Sequence, residues 1–205
     1  METKHFSDRD NDKNRRFLSP LWLISFFIAF TGLVIVFLNC TGIQFRYDPQ
    51  TGGSSLPWRY YLILPLHWPF STEIKPGDYI AFRTDRRVLP YYKPGVIFGK
   101  RVIGVPGDRL EVKGRDFYIN GRWIARARET DSLGNPAPLF KYNGRIPESC
   151  YFVLGHHPRS FDSRYWGFVY KKAIIGKLYP LGGRKKLTES KVITNKNPSS
   201  NHMIK

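Results

Sequence analysis

The chain has 205 residues and a mass of 23.9 kDa, which allows one compact domain with appendages and excludes two large domains. Hydrophobic residues make up 41% of the chain, and its 15 prolines and 18 glycines indicate many turns, which favours β structure over a helical bundle. The formal net charge of +17 is typical of proteins that meet nucleic acid, an anionic membrane or an acidic partner. No nucleic-acid-binding motif accompanies this charge, so we expect no nucleic-acid partner.

The N-terminal region changes character abruptly. Residues 1–18 are charged and show no apolar periodicity, which predicts an arm, whereas the run 21–38 carries no charge over 18 residues. That length is close to the ~20 residues needed to cross a bilayer core of ~30 Å. A core helix would show a polar stripe, and a cleaved signal peptide would have a shorter apolar run followed by small residues. We therefore predict an uncleaved, single-pass transmembrane anchor over 19–40.

The charges that flank this segment predict its orientation. Lys13, Arg15 and Arg16 precede it, whereas Arg46 alone follows it closely. Positive residues are retained on the cytoplasmic side, so we expect a cytoplasmic N-terminus and a main domain on the far side of the membrane.

Beyond the anchor, the pattern is that of short strands. The turn residues KPGD at 75–78 lead into the β-prone run YIAF, Asn120-Gly121 predicts a hairpin, and CYFVLG at 150–155 predicts a buried strand. No helical periodicity of comparable strength follows residue 40. The sequence thus predicts a mainly β domain over 41–180, followed by a polar basic tail over 181–205.

The two cysteines, Cys40 and Cys150, belong to no CxxC pair and to no cluster with metal-ligand spacing. We therefore expect no metal and no cofactor, and interpret both side chains as unpaired thiols.

Two segments combine a turn with a side chain that could react. In SSLPWRYY, Pro57 restricts the chain around Ser55, so Ser55 is either a nucleophile on a stiff, extended mount or an ordinary loop residue. In GKRVIGVPGDRLEV, Lys100 heads an apolar strand. Burial would lower the pKa of Lys100 and let the neutral amine accept a proton, whereas the alternative is a solvated surface charge.

A third segment, GHHPRSFDSRYWG, carries several functional side chains. Asp162 and Arg164 are two residues apart, so on a strand they would share a face and form a bidentate ion pair, with Ser160 on the same side. His156 and His157 suggest a Ser/His triad, but adjacent histidines more often line an exposed turn, and no third partner is evident.

Four segments, taken in their order along the chain, carry a family resemblance. They resemble the conserved boxes of bacterial type I signal peptidases, and more closely those of the shorter TraF-type peptidases of conjugative transfer systems. The segments are SSLP, KPGDYIAF, KRVIGVPGDRLEV and GHHPRSFDSRYWG. The resemblance covers about residues 54–177 and implies a signal-peptidase-like β domain behind one transmembrane helix.

Carried over to this chain, the resemblance implies a Ser/Lys dyad. Ser55 would be the nucleophile and Lys100 the general base. Ser160 would orient the lysine, while Asp162 and Arg164 would support that loop. No metal takes part in such a site.

Two positions depart from the family pattern. Gly53 stands where many leader peptidases have a hydroxyl residue, which leaves the backbone N–H of Ser55 as the expected oxyanion donor. Arg59 stands where the conjugative type tends to have glycine, so the loop conformation there is expected to differ.

The resemblance further implies a serine endopeptidase of the bacterial inner membrane, with a periplasmic catalytic domain, that cleaves leader peptides from membrane-bound precursors such as a conjugative pilin. The alternatives are a general leader peptidase and a catalytically silent assembly module of the transfer apparatus. The aromatic run 58–70 predicts either a core strand with a loop or a surface that rests on the lipid bilayer.

Overall fold

The computed structural model describes residues 20–49, 55–67 and 73–185. The predicted arm over 1–18 and the tail beyond 185 lie outside these ranges. The chain divides after Gly42 into two compact units.

The first unit contains helix α1, which runs over Pro20–Thr41. Its 22 residues span about 33 Å at ~1.5 Å per residue. The segment Leu21–Thr41 has a mean hydropathy of 2.6 and is not buried in the structure. The helix ends where Gly42 takes a φ of 67° and donates its N–H to the Leu38 carbonyl at 3.1 Å. The helix is therefore long and apolar enough to cross a membrane.

The second unit has eleven strands within the described ranges, which confirms the mainly β prediction. They are β1 (Gln44–Tyr47), β2 (Trp58–Pro65), β3 (Tyr79–Arg83), β4 (Ile97–Gly104), β5 (Arg109–Lys113), β6 (Asp116–Ile119), β7 (Arg122–Arg126), β8 (Gly144–Arg145), β9 (Cys150–Leu154), β10 (Val169–Tyr170) and β11 (Ile174–Arg184). One sheet has the order β1-β2-β11-β3-β4-β9-β10 and the other β7-β6-β5-β8, with every paired neighbour antiparallel.

The turns follow the glycines that the sequence pointed to. Asn120 and Gly121 have φ values of 51° and 77°, and they join β6 to β7 as a hairpin. Gly77, with a φ of 98°, lies in the turn before β3, and Gly107, with a φ of 87°, lies in the turn between β4 and β5. These positive φ values cost glycine little, and the two turns lie just before β3 and just after β4, which form one antiparallel pair.

Strand β4 lies between β3 and β9 in the seven-stranded sheet and carries part of the core. Val102 of β4 and Val153 of β9 are aligned and fully buried. The prediction that CYFVLG forms a buried strand is confirmed by β9, whose Phe152 stacks on Phe117 of β6 with 5.6 Å between ring centroids. The two sheets therefore share a hydrophobic core, which fixes β4 and β9 firmly.

Strand β11 continues to Arg184, past the predicted start of the tail at 181. Arg184 is aligned with Trp58 of β2. The next residue, Lys185, places its Nζ 2.6 Å from Asp48 Oδ2, with a nearly buried side chain. Arg184 and Lys185 are thus part of the ordered domain, because pairing with β2 outweighs a composition typical of a solvated tail.

Candidate active site

Ser55 lies in a bend over residues 55–57, ahead of β2, and not in the extended conformation that we predicted. The bend is held at both ends. The Ser55 carbonyl accepts a hydrogen bond from the His156 N–H at 2.9 Å, and the Trp58 N–H donates to the Tyr61 hydroxyl at 2.9 Å. Tyr61 is buried in β2, so the nucleophile candidate is attached to a rigid strand on one side and to the loop after β9 on the other.

Lys100 is the fourth residue of β4, so it lies within the strand and not at its head as predicted. Its side chain is only 4% exposed. The Nζ atom donates to the Ser160 hydroxyl at 2.7 Å and is in contact with Ser55 Oγ. The two serine Oγ atoms are 3.1 Å apart. Three polar groups from distant parts of the chain therefore meet at one point.

Burial dominates the electrostatics of Lys100. It lowers the pKa of this lysine from 10.5 to about 8, while the negative charge of Asp162 acts in the opposite direction and the positive charge of Arg164 lowers the pKa further. The Phe98 ring, with its centroid 5.3 Å from Nζ, adds an apolar neighbour. Among the described residues no carboxylate forms a salt bridge with Lys100. A neutral amine is thus accessible near pH 8.

The loop after β9 is fixed by the ion pair between Asp162 and Arg164. Arg164 Nε and Nη2 each lie 2.8 Å from one carboxylate oxygen of Asp162, which is fully buried. Asp162 also accepts the Gly155 N–H at 3.0 Å, and Arg164 donates to the Ser160 carbonyl at 3.1 Å. This bidentate pair closes the loop over residues 155–164 and positions the Ser160 hydroxyl.

The prediction that Asp162 and Arg164 share a strand face was wrong. A short helix, α2, begins at Ser163 and ends at Trp166, and Asp162 is its N-cap, accepting the Arg164 N–H at 3.3 Å. The ion pair forms across this helical turn. Asp162 was expected only to pair with arginine, but it also caps the helix and binds the loop backbone.

Gly155 is a site residue that sequence reasoning missed. A Cβ atom at this position would overlap the Ser160 side chain and lie 3.3 Å from Ser55 Oγ. Only glycine lets the two hydroxyls approach each other. No local sequence pattern indicates that glycine is required here, because Gly155 is simply the last residue of the run CYFVLG that predicts a buried strand.

The two histidines lie in the loop after β9, in line with the turn alternative, and neither lines the cleft that contains Lys100. His156 is exposed and its backbone N–H bonds to Ser55, whereas His157 Nδ1 accepts the Arg159 N–H at 3.1 Å. Burial lowers the pKa of both imidazoles, with Arg101 and Arg184 adding to the effect on His156 and Arg159 to that on His157. The position of the base beside Ser55 Oγ is occupied by Lys100.

A cleft of about 330 Å³ opens over these three side chains. Part of its wall is apolar and is formed by Leu56, Ile63, Ala81, Gly99 and Leu178. A Cβ on Gly99 would come within 2.6 Å of the Leu56 side chain, so the wall is already close-packed there. This wall therefore offers an apolar surface to a side chain of a bound peptide.

The remaining residues that the sequence singled out lie partly inside and partly outside the described ranges. Gly53 lies outside the described residues, as do residues 68–70 of the aromatic run, while Arg59 lies in strand β2. Cys40 and Cys150 are free thiols. Among the described residues no group of three or more His, Cys, Asp or Glu side chains is placed to hold a metal ion.

Comparisons with known proteins place this geometry in context. The family model described as signal peptidase, peptidase S26, matches residues 21–180. The probable signal peptidase I-2 of Synechocystis sp. is 34% identical over 84 residues, which are 40% of this chain and 36% of that protein. The signal peptidase I P of Bacillus subtilis subsp. natto is 27% identical over 183 residues, covering 80% of this chain and 90% of that protein.

The signal peptidase I of Leptolyngbya laminosa is 33% identical over 104 residues, or 49% of either chain. The matches to the Synechocystis and Leptolyngbya proteins thus span half of those relatives or less. Among solved structures, a signal peptidase I from Enterococcus faecalis is 31% identical and is covered over 97% of its length, against 52% of this chain, with a TM-score of 0.35.

Proposed function

Because the chain belongs to the signal peptidase family, peptidase S26, we propose that it is a membrane-anchored serine endopeptidase that removes leader peptides from exported precursors. One observation carries the proposal above all. The buried Lys100 amine contacts both Ser55 Oγ and Ser160 Oγ, in surroundings that lower the lysine pKa to about 8.

In the proposed reaction, Ser55 Oγ attacks the scissile carbonyl carbon while Lys100 Nζ takes the hydroxyl proton. The Ser160 hydroxyl holds the amine so that its lone pair is aimed at Ser55. The tetrahedral intermediate collapses, the amine of the mature chain leaves with the proton from Lys100, and an ester to Ser55 remains. A water molecule, deprotonated by Lys100, then hydrolyses that ester and regenerates the free serine.

We assign Asp162 and Arg164 a supporting role in this reaction. Their bidentate pair holds the loop that carries Ser160. The oxyanion of the tetrahedral intermediate would be stabilised by the backbone N–H of Ser55.

The proposed enzyme is anchored by α1 in a bacterial inner membrane. The excess of positive residues before the helix supports a cytoplasmic N-terminus and a periplasmic domain over 41–180. A reporter enzyme that is active only outside the cytoplasm is fused after residue 180, and this fusion is expected to be active. If added protease left the domain intact in spheroplasts but degraded it after lysis, the orientation would be reversed.

We propose precursors with small residues before the cut, on the family resemblance and on the close-packed apolar wall of the cleft beside Ser55. We propose a conjugative pilin as the precursor, on the resemblance of the four boxes to the TraF-type peptidases. The names of the curated relatives, all signal peptidase I, favour a general leader peptidase as the second candidate.

The two substrates are separated by product analysis. Purified full-length protein in detergent is incubated with a pilin precursor and, in parallel, with a general secretory precursor, and the products are weighed by mass spectrometry. Preferential cleavage of the pilin supports the conjugative assignment, and preferential cleavage of the other precursor supports the general one. A cyclic pilin would require a cut near the C-terminal end of the pilin, so that the pilin itself forms the ester to Ser55 and its own N-terminal amine resolves that ester in place of water. Such a product would be lighter than the corresponding linear one by one water and would lack a free N-terminus.

The Ser55→Ala variant is the essential control and is expected to leave both precursors intact. Ser54→Ala is its matched control, since it removes the same hydroxyl one residue away and is expected to remain active. Cleavage by Ser55→Ala but not by Ser54→Ala would show that Ser54, and not Ser55, is the nucleophile. Intact precursors with the parent protein would favour a catalytically silent assembly module.

A further inference from the structure

A second cleft, of about 690 Å³, lies on the other side of the loop that follows β9. Its walls are strand β7 with the residues after it, 123–129, and the loop 154–159. It is about twice as large as the cleft that contains Lys100, and the mechanism above makes no use of it.

The two clefts adjoin each other close to the nucleophile. Arg159 lines both of them. Gly155 lines the second cleft, and a Cβ built on it would be only 3.3 Å from Ser55 Oγ. A peptide whose scissile bond lies over Ser55 can therefore extend into the first cleft on one side of that bond and into the second cleft on the other. Because the first cleft has an apolar wall next to Ser55, we assign it to the residues before the cut and the second cleft to the residues after it.

The second cleft carries an excess of positive charge. Arg128 and Arg159 are exposed and form no ion pair among the described residues. Arg126 is already paired with Asp116 at 2.6 Å. Among the described residues, the only acidic one that lines the cleft is Glu129, whose side chain is largely exposed and lies 3.9 Å from Arg126. Arg128 and Arg159 are thus available to bind an anionic group.

We propose that this second cleft binds the segment of the precursor that follows the cleaved bond, and that Arg128 and Arg159 select acidic side chains in it. The inference rests on the proposed peptidase function and adds a second recognition site to it. The positive charges would attract carboxylates just beyond the cut and repel lysine or arginine there.

Three peptides test this selection. They share one sequence up to the cut and differ only at the second to fourth residues beyond it, which are all Glu, all Gln or all Lys. For the parent protein at low salt, kcat/KM is expected to be about 3- to 10-fold higher for the Glu peptide than for the Lys peptide, as befits exposed ion pairs. The Gln peptide is expected to fall between them, and added salt should reduce the difference.

Arg128→Glu is expected to abolish or invert the preference for the Glu peptide, and Arg128→Gln to reduce it. The backbone bonds of this residue are unchanged in both variants. Arg122→Glu is the matched control, because it makes the same charge change on β7 outside the cleft lining. It should retain the parent preference.

The outcomes separate the inference from the function on which it rests. Equal kcat/KM for the three peptides with the parent protein would overturn the acidic selection and leave the peptidase intact. If Arg122→Glu changed the preference as much as Arg128→Glu, the effect would come from the net charge of the whole protein, and the cleft assignment would be wrong. Cleavage of none of the peptides would contradict the proposed function, and the inference would fall with it.

Discussion

Lys100 and Lys177 are both buried in the seven-stranded sheet, and both are aligned with Ile80 of the strand between them. Their surroundings differ. Lys177 Nζ lies 2.8 Å from a carboxylate oxygen of Asp78, whereas Lys100 Nζ contacts two serine hydroxyls. The same side chain, similarly buried in the same sheet, thus meets an opposite charge in one place and only neutral dipoles in the other.

The comparison shows that the partner, more than burial alone, decides what a buried lysine does. A carboxylate compensates for the lost hydration of an ammonium group, so Lys177 is expected to serve packing and pairing. Hydroxyls compensate for it much less. Burial therefore prevails at Lys100 and lowers its pKa to about 8, which suits the base role proposed above.

The largest effect is expected when each lysine is replaced by arginine. Guanidinium stays protonated, so Lys100→Arg is expected to lower kcat/KM by about 10²–10⁴-fold or more. Lys177→Arg keeps a positive charge opposite Asp78, so its kcat/KM should stay within about 3-fold of the parent value. This small change is expected of an ion pair that takes no part in the reaction. Activity is measured as peptide cleavage in detergent. An active Lys100→Arg variant would mean that the residue positions substrate and takes no proton.

The second prediction concerns stability. The Lys100 pKa is lower in the folded state than in the unfolded chain. The charged lysine therefore destabilises the folded state, and this free-energy penalty is largest below pH 8. That penalty shrinks as the pH rises from about 8 to ~10.4. Lys100→Met should therefore raise the free energy of unfolding by on the order of 3 kcal/mol at pH 7, and hardly at all above pH 10.5.

Chemical unfolding of the detergent-solubilised protein at pH 7 and at pH 10.5 measures this difference. Lys177→Met at the same pH values is the matched control, and it should show no comparable gain at pH 7. A loss of stability in Lys100→Met at pH 7 would contradict the lowered pKa.

Ser160→Ala gives a smaller effect on activity. It removes the hydroxyl that accepts from Lys100 Nζ at 2.7 Å and leaves one buried amine hydrogen unpaired. Loss of a buried hydrogen-bond partner costs about 1–3 kcal/mol, so kcat should fall about 10- to 100-fold. Ser160→Thr, which keeps a hydroxyl, should recover part of the loss. If Ser160→Ala had the parent activity over the whole pH range, Ser160 would not orient Lys100.

The smallest effect is expected at the paired lysine. Asp78→Asn leaves the Lys177 ammonium without its negative partner, and it should lower the free energy of unfolding by about 1–2 kcal/mol, since Asp78 is partly solvated. Cleavage by the folded variant should be unchanged. A large loss of kcat in this variant would show that the two lysines are not independent.

Much of the site could be predicted from the sequence because its parts are local. The uncharged run 21–38 predicted the helix, and the glycines of the PGD turns predicted the strands around Lys100. The roles of Ser55 and Lys100 came from the family resemblance, since a serine before a proline or a lysine at a strand indicates little alone. What the structure adds is that their side chains are in contact.

The remainder depended on contacts between distant residues. Gly155 must be glycine because Ser160 and Ser55 pack against it, and no pattern within the segment shows this. The segment with Asp162 alternates as a strand would, but Asp162 caps a helix because its carboxylate also binds the Gly155 N–H and Arg164. Lys185 looked like part of a solvated tail until β11 was seen to pair with β2 and bring it to Asp48.

The protonation state of Lys100 can be measured directly by titration. Full-length protein with lysines labelled with carbon-13 at Cε is followed by NMR from pH 6 to pH 11, and the Lys100 signal is identified by its absence from the Lys100→Met spectrum. This signal is expected to titrate with a midpoint near pH 8, because burial lowers the pKa of the amine. A midpoint near the ~10.4 of an exposed lysine would show that Lys100 is charged at working pH and would contradict its role as the base.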